Sequence, residues 1–299
     1  MNHVLTLIAD PAAADLGDSL VADARAALNA LGARTGNPDW LAPGVACDIP
    51  FDDLDCDQAA AAVNTALPDA AVDRIAQPQE GRRKRLLIAD MESTIIRQEM
   101  LDELADLVGL KERIAAITWR AMNGEIDFKE ALRERVALLK GLPATALEQV
   151  CDRIELMPGA NALVATMKAS GARCVLVSGG FKFYTDRIRA LVGFDEDQAN
   201  DLEVADGLLT GRPVEPILDK DAKLAALIRI SAQHQIPVRD TIAVGDGAND
   251  LPMLQAAGLG VAFHAKPAVA AQARARVDRS DLTALLYAQG FRAQDIREE

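Results

Sequence analysis

Histidine and cysteine are scarce in this chain, three and four among 299 residues. The cysteines, Cys47, Cys56, Cys151 and Cys174, form no short paired spacing, which excludes a zinc knuckle or a thiol-exchange pair and leaves reduced structural thiols. No apolar run approaches the length of a membrane-spanning helix. The first residues, Met1 to Asp15, contain only a short apolar run without a cationic leader and soon turn acidic, so no secretory signal is expected and a cytoplasmic location follows by default. Positive charge is also in deficit: the formal net charge is −13, which opposes binding to nucleic acid or to an anionic membrane surface. No Gly-x-Gly-x-x-Gly follows a strand, so a dinucleotide fold is not indicated. Neither internal repeats nor low-complexity tracts are present.

Half of the residues are apolar, many of them alanine, and the length suits a main domain with an attachment. Residues 1–78 alternate short strand-like and helix-like stretches (Val4 to Ala9, Leu20 to Leu31, Val45 to Pro50, Gln58 to Leu67, Ala71 to Ile75), the pattern of a small α+β module. Gln77-Pro78-Gln79-Glu80-Gly81 reads as a linker. The basic run Arg82, Arg83, Lys84 and Arg85 behind it reads as a solvated linker or strand edge. From there strands alternate with helices, which predicts an α/β fold with a doubly wound parallel sheet. Its strands are Leu86 to Ala89, Cys174 to Val177, Thr241 to Val244 and Leu259 to Phe263. A helical tract from Glu99 to Ile154, broken at Met122-Asn123-Gly124, is inserted after the first strand and is expected to cap the strand ends. The expected division is 1–78 for the module, 82–96 with 156–299 for the core, and 97–155 for the cap. Leu202 to Pro216 reads as a hairpin turning at Asp206-Gly207.

Three polar segments follow three apolar strands: Asp90-Met91-Glu92-Ser93-Thr94, Ser178-Gly179-Gly180 and Gly245-Asp246-Gly247-Ala248-Asn249-Asp250. In a parallel sheet the carboxyl ends of the strands share one edge, so these segments converge on one crevice. Each alone is weak. A carboxylate after a strand ordinarily caps a helix, Ser-Gly-Gly ordinarily makes a turn, and a lysine such as Lys223 or its neighbour Lys220 is ordinarily solvated. Together they put Asp90, Glu92, Asp246 and Asp250 near one point. Unit charges about 4 Å apart repel by roughly 4 kcal/mol at an effective dielectric of about 20. An all-oxygen cluster of this kind calls for a hard cation, and Mg²⁺ sharing its sphere with a substrate phosphate fits best. Ser178 with the glycine N–H groups, and Lys223, are then the donors for that phosphate.

These motifs, in this order from Leu86 to beyond Phe263, resemble the phosphoserine phosphatases of the haloacid dehalogenase superfamily. The resemblance implies a Rossmann-like core with an inserted helical cap and a Mg²⁺-dependent phosphomonoesterase acting on phosphoserine through an aspartyl-phosphate. Asp90 is the implied nucleophile and Glu92 the acid/base. Asp90, the backbone carbonyl of Glu92, Asp246 and Asp250 are the implied metal site, and Ser178, Gly179 and Lys223 hold the phosphate. Around the serine moiety the resemblance places Glu99 on its ammonium group and Arg135 on its carboxylate, with Met122, Phe128 and Asn249 completing the pocket. Without the resemblance Glu99 and Arg135 read as exposed helix charges, and Met122 and Phe128 as core residues. The family usually carries aspartate where this chain has Glu92, a change of about one methylene, or about 1 Å, at an atom whose position controls rate. The N-terminal module is similar to the small ACT-like regulatory domains, and a homodimer is an open expectation. Two other readings keep the same site: transfer of the phosphoryl group to homoserine or another alcohol, and non-catalytic binding of a phospho-amino acid.

Overall fold

In the computed structural model, which describes residues 1–122 and 125–298, six parallel strands form the central sheet. Their spatial order is Ala275–Val277, Leu259–Phe263, Thr241–Gly245, Leu86–Ala89, Arg173–Phe181, Glu196–Asn200. The three inner strands beside and including Leu86–Ala89 read as unbroken apolar runs because both faces are covered. Side chains alternate between the faces. Leu87, Ala89, Cys174, Leu176, Ile242 and Val244 join one core with the helices Ala160–Ala169 and Lys182–Val192. Leu86, Ile88, Val175, Val177 and Ala243 join another with the helices Lys220–Gln233 and Leu251–Ala256. The chain starts at the middle strand, winds outward on one side to Asn200, then returns to wind outward on the other. The switch point therefore lies at the end of Leu86–Ala89, where an open sheet offers its binding crevice.

Among the described residues, five helices lie between Leu86–Ala89 and Arg173–Phe181: Met100–Leu107, Lys111–Met122, Phe128–Ala137 and Thr145–Cys151 in the inserted tract, and then Ala160–Ala169, which packs on the sheet. Asp127 starts the third of them by accepting the Glu130 N–H at 2.7 Å, a side-chain cap. The hairpin of Leu202–Ala205 and Leu208–Pro213 turns at Asp206 and Gly207, whose φ values of 52° and 76° are those of a two-residue hairpin turn.

Residues before the core build an antiparallel sheet ordered Arg34–Thr35, Ala46–Asp52, His3–Ala9, Val72–Pro78, with Asp39–Ala42 also paired to Ala46–Asp52. The helices Asp18–Ala30 and Cys56–Ala66 cover one face through Val21, Leu28, Ala59 and Val63. The opposite face turns Ile8, Ala46 and Ile75 into the same apolar cluster as the core helices. Here two sequence expectations need correction. The strand Val72–Pro78 runs through the first two residues of the supposed linker, and the Gln77 amide donates to the Ala288 carbonyl at 2.6 Å. Nor is the basic run simply solvated. Arg82 forks onto Asp48 at 2.7 and 3.1 Å and onto the carbonyls of Tyr287 and Ala288, while Lys84 is buried and donates to the carbonyls of Gly81 and Arg239. Arg82 thereby bridges the antiparallel unit to the core, adding donors to a buried carboxylate and to backbone carbonyls that burial would otherwise leave under-satisfied.

Arg82 and Asp48 are both largely shielded from water, so Arg82→Ala strands a buried carboxylate that keeps only its bond from Thr6. The expected loss is about 3–5 kcal/mol of unfolding free energy, read from urea denaturation. A loss below about 1 kcal/mol, the range of an exposed pair, contradicts the bridging role.

Candidate active site

At the switch point the backbone N–H of Asp90 still donates to Val244, prolonging the sheet by one residue before the chain turns. The turn is tight: Ile95 and Ile96 both donate to the Met91 carbonyl, and Ser93 takes a positive φ of 55°. Asp90 Oδ1 accepts the Met91 N–H at 2.8 Å. From the neighbouring strand end, Asp250 folds back so that Oδ2 accepts the Gly247 N–H at 2.9 Å. Its carboxyl group fills the space where a side chain at Gly245 would begin, which is why that position is glycine. Carboxylate oxygens of Asp90, Asp246 and Asp250 consequently all lie within 4.8 Å of one another.

Lys223 enters this cluster from the helix Lys220–Gln233, with Nζ 2.7 Å from Asp90 Oδ1 and 2.5 Å from Asp250 Oδ1. It is buried, so the ordinary reading of a solvated helix lysine fails here. Burial works against its charge, but Asp90 and Asp250 outweigh that and hold its pKa above the ordinary value. Burial, then the Asp250 charge, pushes Asp90 well above the carboxylate range against the pull of Lys223. The same two causes push Asp246 up to about 6. Three carboxylates thus share one ammonium group, a charge deficit that a hard divalent cation would fill with the oxygen donors it prefers. The donor set fits a metal of that class.

The serine and glycines lie within the strand Arg173–Phe181 and not beyond it, as the sequence reading had them. The strand is bulged there: 178–180 stand opposite the single residue Ala199. The bulge turns these residues toward the crevice. Ser178 Oγ accepts the Gly180 N–H at 2.9 Å, which leaves its own hydroxyl proton available as a donor. A Cβ at Gly180 would sit 2.7 Å from Glu92 Oε2, so this glycine makes room for the glutamate.

A cleft of about 270 Å³ opens between the strand ends and the helices above them. Of the residues singled out from sequence, Asp90, Glu92, Glu99, Phe128, Arg135, Gly179, Asp246 and Asn249 line it. Buried Ser178, Lys223 and Asp250 are packed against them from behind. The side chains of Met122 and Lys220 lie outside the described residues. Glu92 does not share its carboxylate with the three aspartates: Oε1 accepts the Met100 N–H at 2.9 Å, toward the helices. Burial, then the charge of Glu99, pushes Glu92 up to about 8. Glu99 accepts the Ser93 hydroxyl at 2.8 Å. Arg135 is not an exposed helix charge, since burial lowers its pKa against the opposing charges of Asp102, Glu92 and Glu99. Phe128 is 37% exposed and reaches over Gly179, so it is a cleft residue and not a core one. Gly180, named in the Ser178-Gly179-Gly180 segment, lines it too, whereas sequence reasoning missed Asp102 and Lys266. Lys266 follows the strand Leu259–Phe263 and sits on the same carboxyl edge, the signal that finds it.

Residues 87–255 match the family model described as haloacid dehalogenase-like hydrolase. A phosphoserine phosphatase of Polaromonas sp. is 46% identical over 230 residues, covering 75% of this chain and 94% of that protein. The chain belongs to the phosphoserine phosphatase family of these hydrolases. Phosphoserine phosphatase SerB2 of Mycobacterium tuberculosis is 44% identical over 215 residues, a match that covers 72% of this chain but only 53% of that relative. This chain therefore spans about half of its length. The fold of the whole chain recurs in the crystal structure of the unliganded probable phosphoserine phosphatase from Vibrio cholerae, with a TM-score of 0.80, 31% identity, and 98% and 88% of the two chains covered.

Proposed function

We infer that this chain hydrolyses O-phospho-L-serine to L-serine and phosphate through an aspartyl-phosphate on Asp90, with Mg²⁺ as its metal. The observation that carries the reading is the pairing of Asp90 with buried Lys223 beside Asp246 and Asp250, under a roof that carries Glu99 and Arg135. Asp90 Oδ1 is occupied by the Met91 N–H and by Lys223, so Oδ2 is the oxygen left to attack phosphorus. Attack forms the Asp90–phosphorus bond and breaks the bond to the serine oxygen, and Glu92 gives that oxygen its proton. Water then attacks the aspartyl-phosphate and Glu92 takes up a proton, restoring both carboxyl groups. Ser178, Gly179 and Lys223 hold the phosphoryl oxygens as charge develops on them. Mg²⁺, held by Asp90, Asp246, Asp250 and the Glu92 carbonyl, would neutralise charge on the phosphoryl group and nucleophile. Asn249 orients the substrate, and Phe128 closes over it.

Substrate choice rests on the roof. Glu99 suits an ammonium group and Arg135 a carboxylate, and a charged hydrogen bond of either kind contributes about 1.5–3 kcal/mol. The assigned division remains 1–78 for an ACT-like module, 82–96 with 156–299 for the catalytic core and 97–155 for the cap. Phosphate release from L-phosphoserine, phosphothreonine and a sugar phosphate, with Mg²⁺ or with a chelator, tests the reading. Turnover of phosphoserine at least about tenfold above the sugar phosphate, abolished by chelation, is expected from losing one such contact. Equal rates on all three esters overturn the assignment.

A further inference from the structure

A second cleft, of about 370 Å³, lies where the N-terminal antiparallel sheet meets the last strand of the core, and it shares no lining residue with the catalytic one. Four arginines line it, Arg74 from the first unit and Arg274, Arg276 and Arg279 from the core, against two aspartates, Asp73 and Asp278. In a chain of net charge −13 such a local excess of guanidinium groups is not the background surface.

The two aspartates offset only part of this charge. Asp73 is buried and turned away into the backbone, accepting the N–H groups of Asp278, Arg279 and Ser280 at 2.8, 3.2 and 2.9 Å. Asp278 is engaged with Arg276 at 3.1 Å. Arg274 and Arg279 are exposed and make no ion pair among the described residues. Arg74 binds the Leu67 carbonyl through Nη2, but its Nε is buried with no hydrogen-bond partner among the described residues. Burial lowers the Arg74 pKa, opposed by Asp73 and reinforced by Arg276 and Arg279, so its charge is held at a cost that a nearby anion would relieve. The Nη groups of Arg74 are taken up by Asn64, Leu67 and Ala70, which leaves Arg274 and Arg279 as the lining guanidinium groups whose forks suit the paired oxygens of phosphate, sulfate or carboxylate groups. The volume is that of a small-molecule site, within a range of about 300–1,000 Å³.

We propose that this arginine cleft binds a small multiply charged oxyanion, a phosphorylated or polycarboxylate metabolite, and in doing so ties the N-terminal unit to the core. The site is independent of the catalytic assignment and its test has its own readout. Isothermal titration of the full chain with Mg²⁺, at constant ionic strength, uses sodium sulfate in one arm and sodium malonate in the other. The comparison is with Arg274→Gln/Arg279→Gln, and with Arg274→Lys/Arg279→Lys, which keeps charge but loses the forks. Expected is a saturable event weakened at least about tenfold in the glutamine variant and by an intermediate amount in the lysine variant. Phosphatase activity is unchanged in both variants, because neither residue lines the catalytic cleft. Any binding to the phosphate cradle survives in all three proteins and is subtracted. A tighter sulfate arm assigns a phosphate-like ligand, and a tighter malonate arm a polycarboxylate. Superimposable isotherms for the parent and the glutamine variant, or no saturable heat from either anion in the parent, overturn the proposal.

Discussion

Asp90→Asn is expected to lower kcat on O-phospho-L-serine by about 10⁴-fold or more while the protein stays folded, because removal of a covalent nucleophile leaves only binding and charge stabilisation. The amide retains what the fold asks of this position. Its Oδ1 still accepts from Met91 and from Lys223, the two hydrogen bonds that orient the side chain. It also removes one of three crowded negative charges, whose mutual repulsion is roughly 4 kcal/mol for a pair about 4 Å apart. The metal-free variant should therefore unfold at a urea concentration no lower than the metal-free parent. A variant that keeps a tenth of parental kcat refutes Asp90 as nucleophile, whatever its stability.

Glu92→Gln is the second variant with a large expected effect. Glutamine preserves the length of the side chain and, through Oε1, the bond from the Met100 N–H that anchors it under the roof. It loses only the capacity to carry a proton, so the expected fall in kcat is about 10²–10⁴-fold, the usual share of a positioned acid/base. Glu92→Asp keeps the proton chemistry but withdraws the carboxyl by about one methylene, and it loses reach to Met100 N as well. It should remain active, and comparing the two variants separates chemistry from position. Gly180 explains how this chain accommodates glutamate: the carboxyl lies where any larger residue at 180 would place its Cβ.

Much of this was legible because the motifs sit on strong periodic signals. Leu86–Ala89, Thr241–Gly245 and Leu259–Phe263 are short apolar runs followed at once by polar residues, and the rule that parallel strands share one carboxyl edge does the rest. The strand Glu196–Asn200 was not legible. Its Glu-Asp-Gln-Ala-Asn sequence has no strand propensity, and tertiary pairing makes it an edge strand: Arg173 pairs with Glu196, while Lys182 and Arg189 pair with the buried Asp197. Arg34–Thr35 and Ala275–Val277 are too short to show a period. The basic run at 82–85 misled for a related reason. Charge in sequence predicts solvent, and only the arrival of Asp48 and the carbonyls of 287–289 makes that position a buried bridge. Lys223 on its own reads as an ordinary helix lysine, and the company of the three acidic and hydroxyl segments singles it out; the structure gives it two carboxylate partners.

The chemistry assigned to Asp90 leaves a mark that can be read directly. Enzyme mixed with O-phospho-L-serine and Mg²⁺, quenched in acid within one turnover and reduced with borohydride, should yield homoserine at position 90 in the peptide mass spectrum, since reduction captures an acyl phosphate there. Unmodified aspartate at 90 in protein quenched while it is turning over would contradict the account.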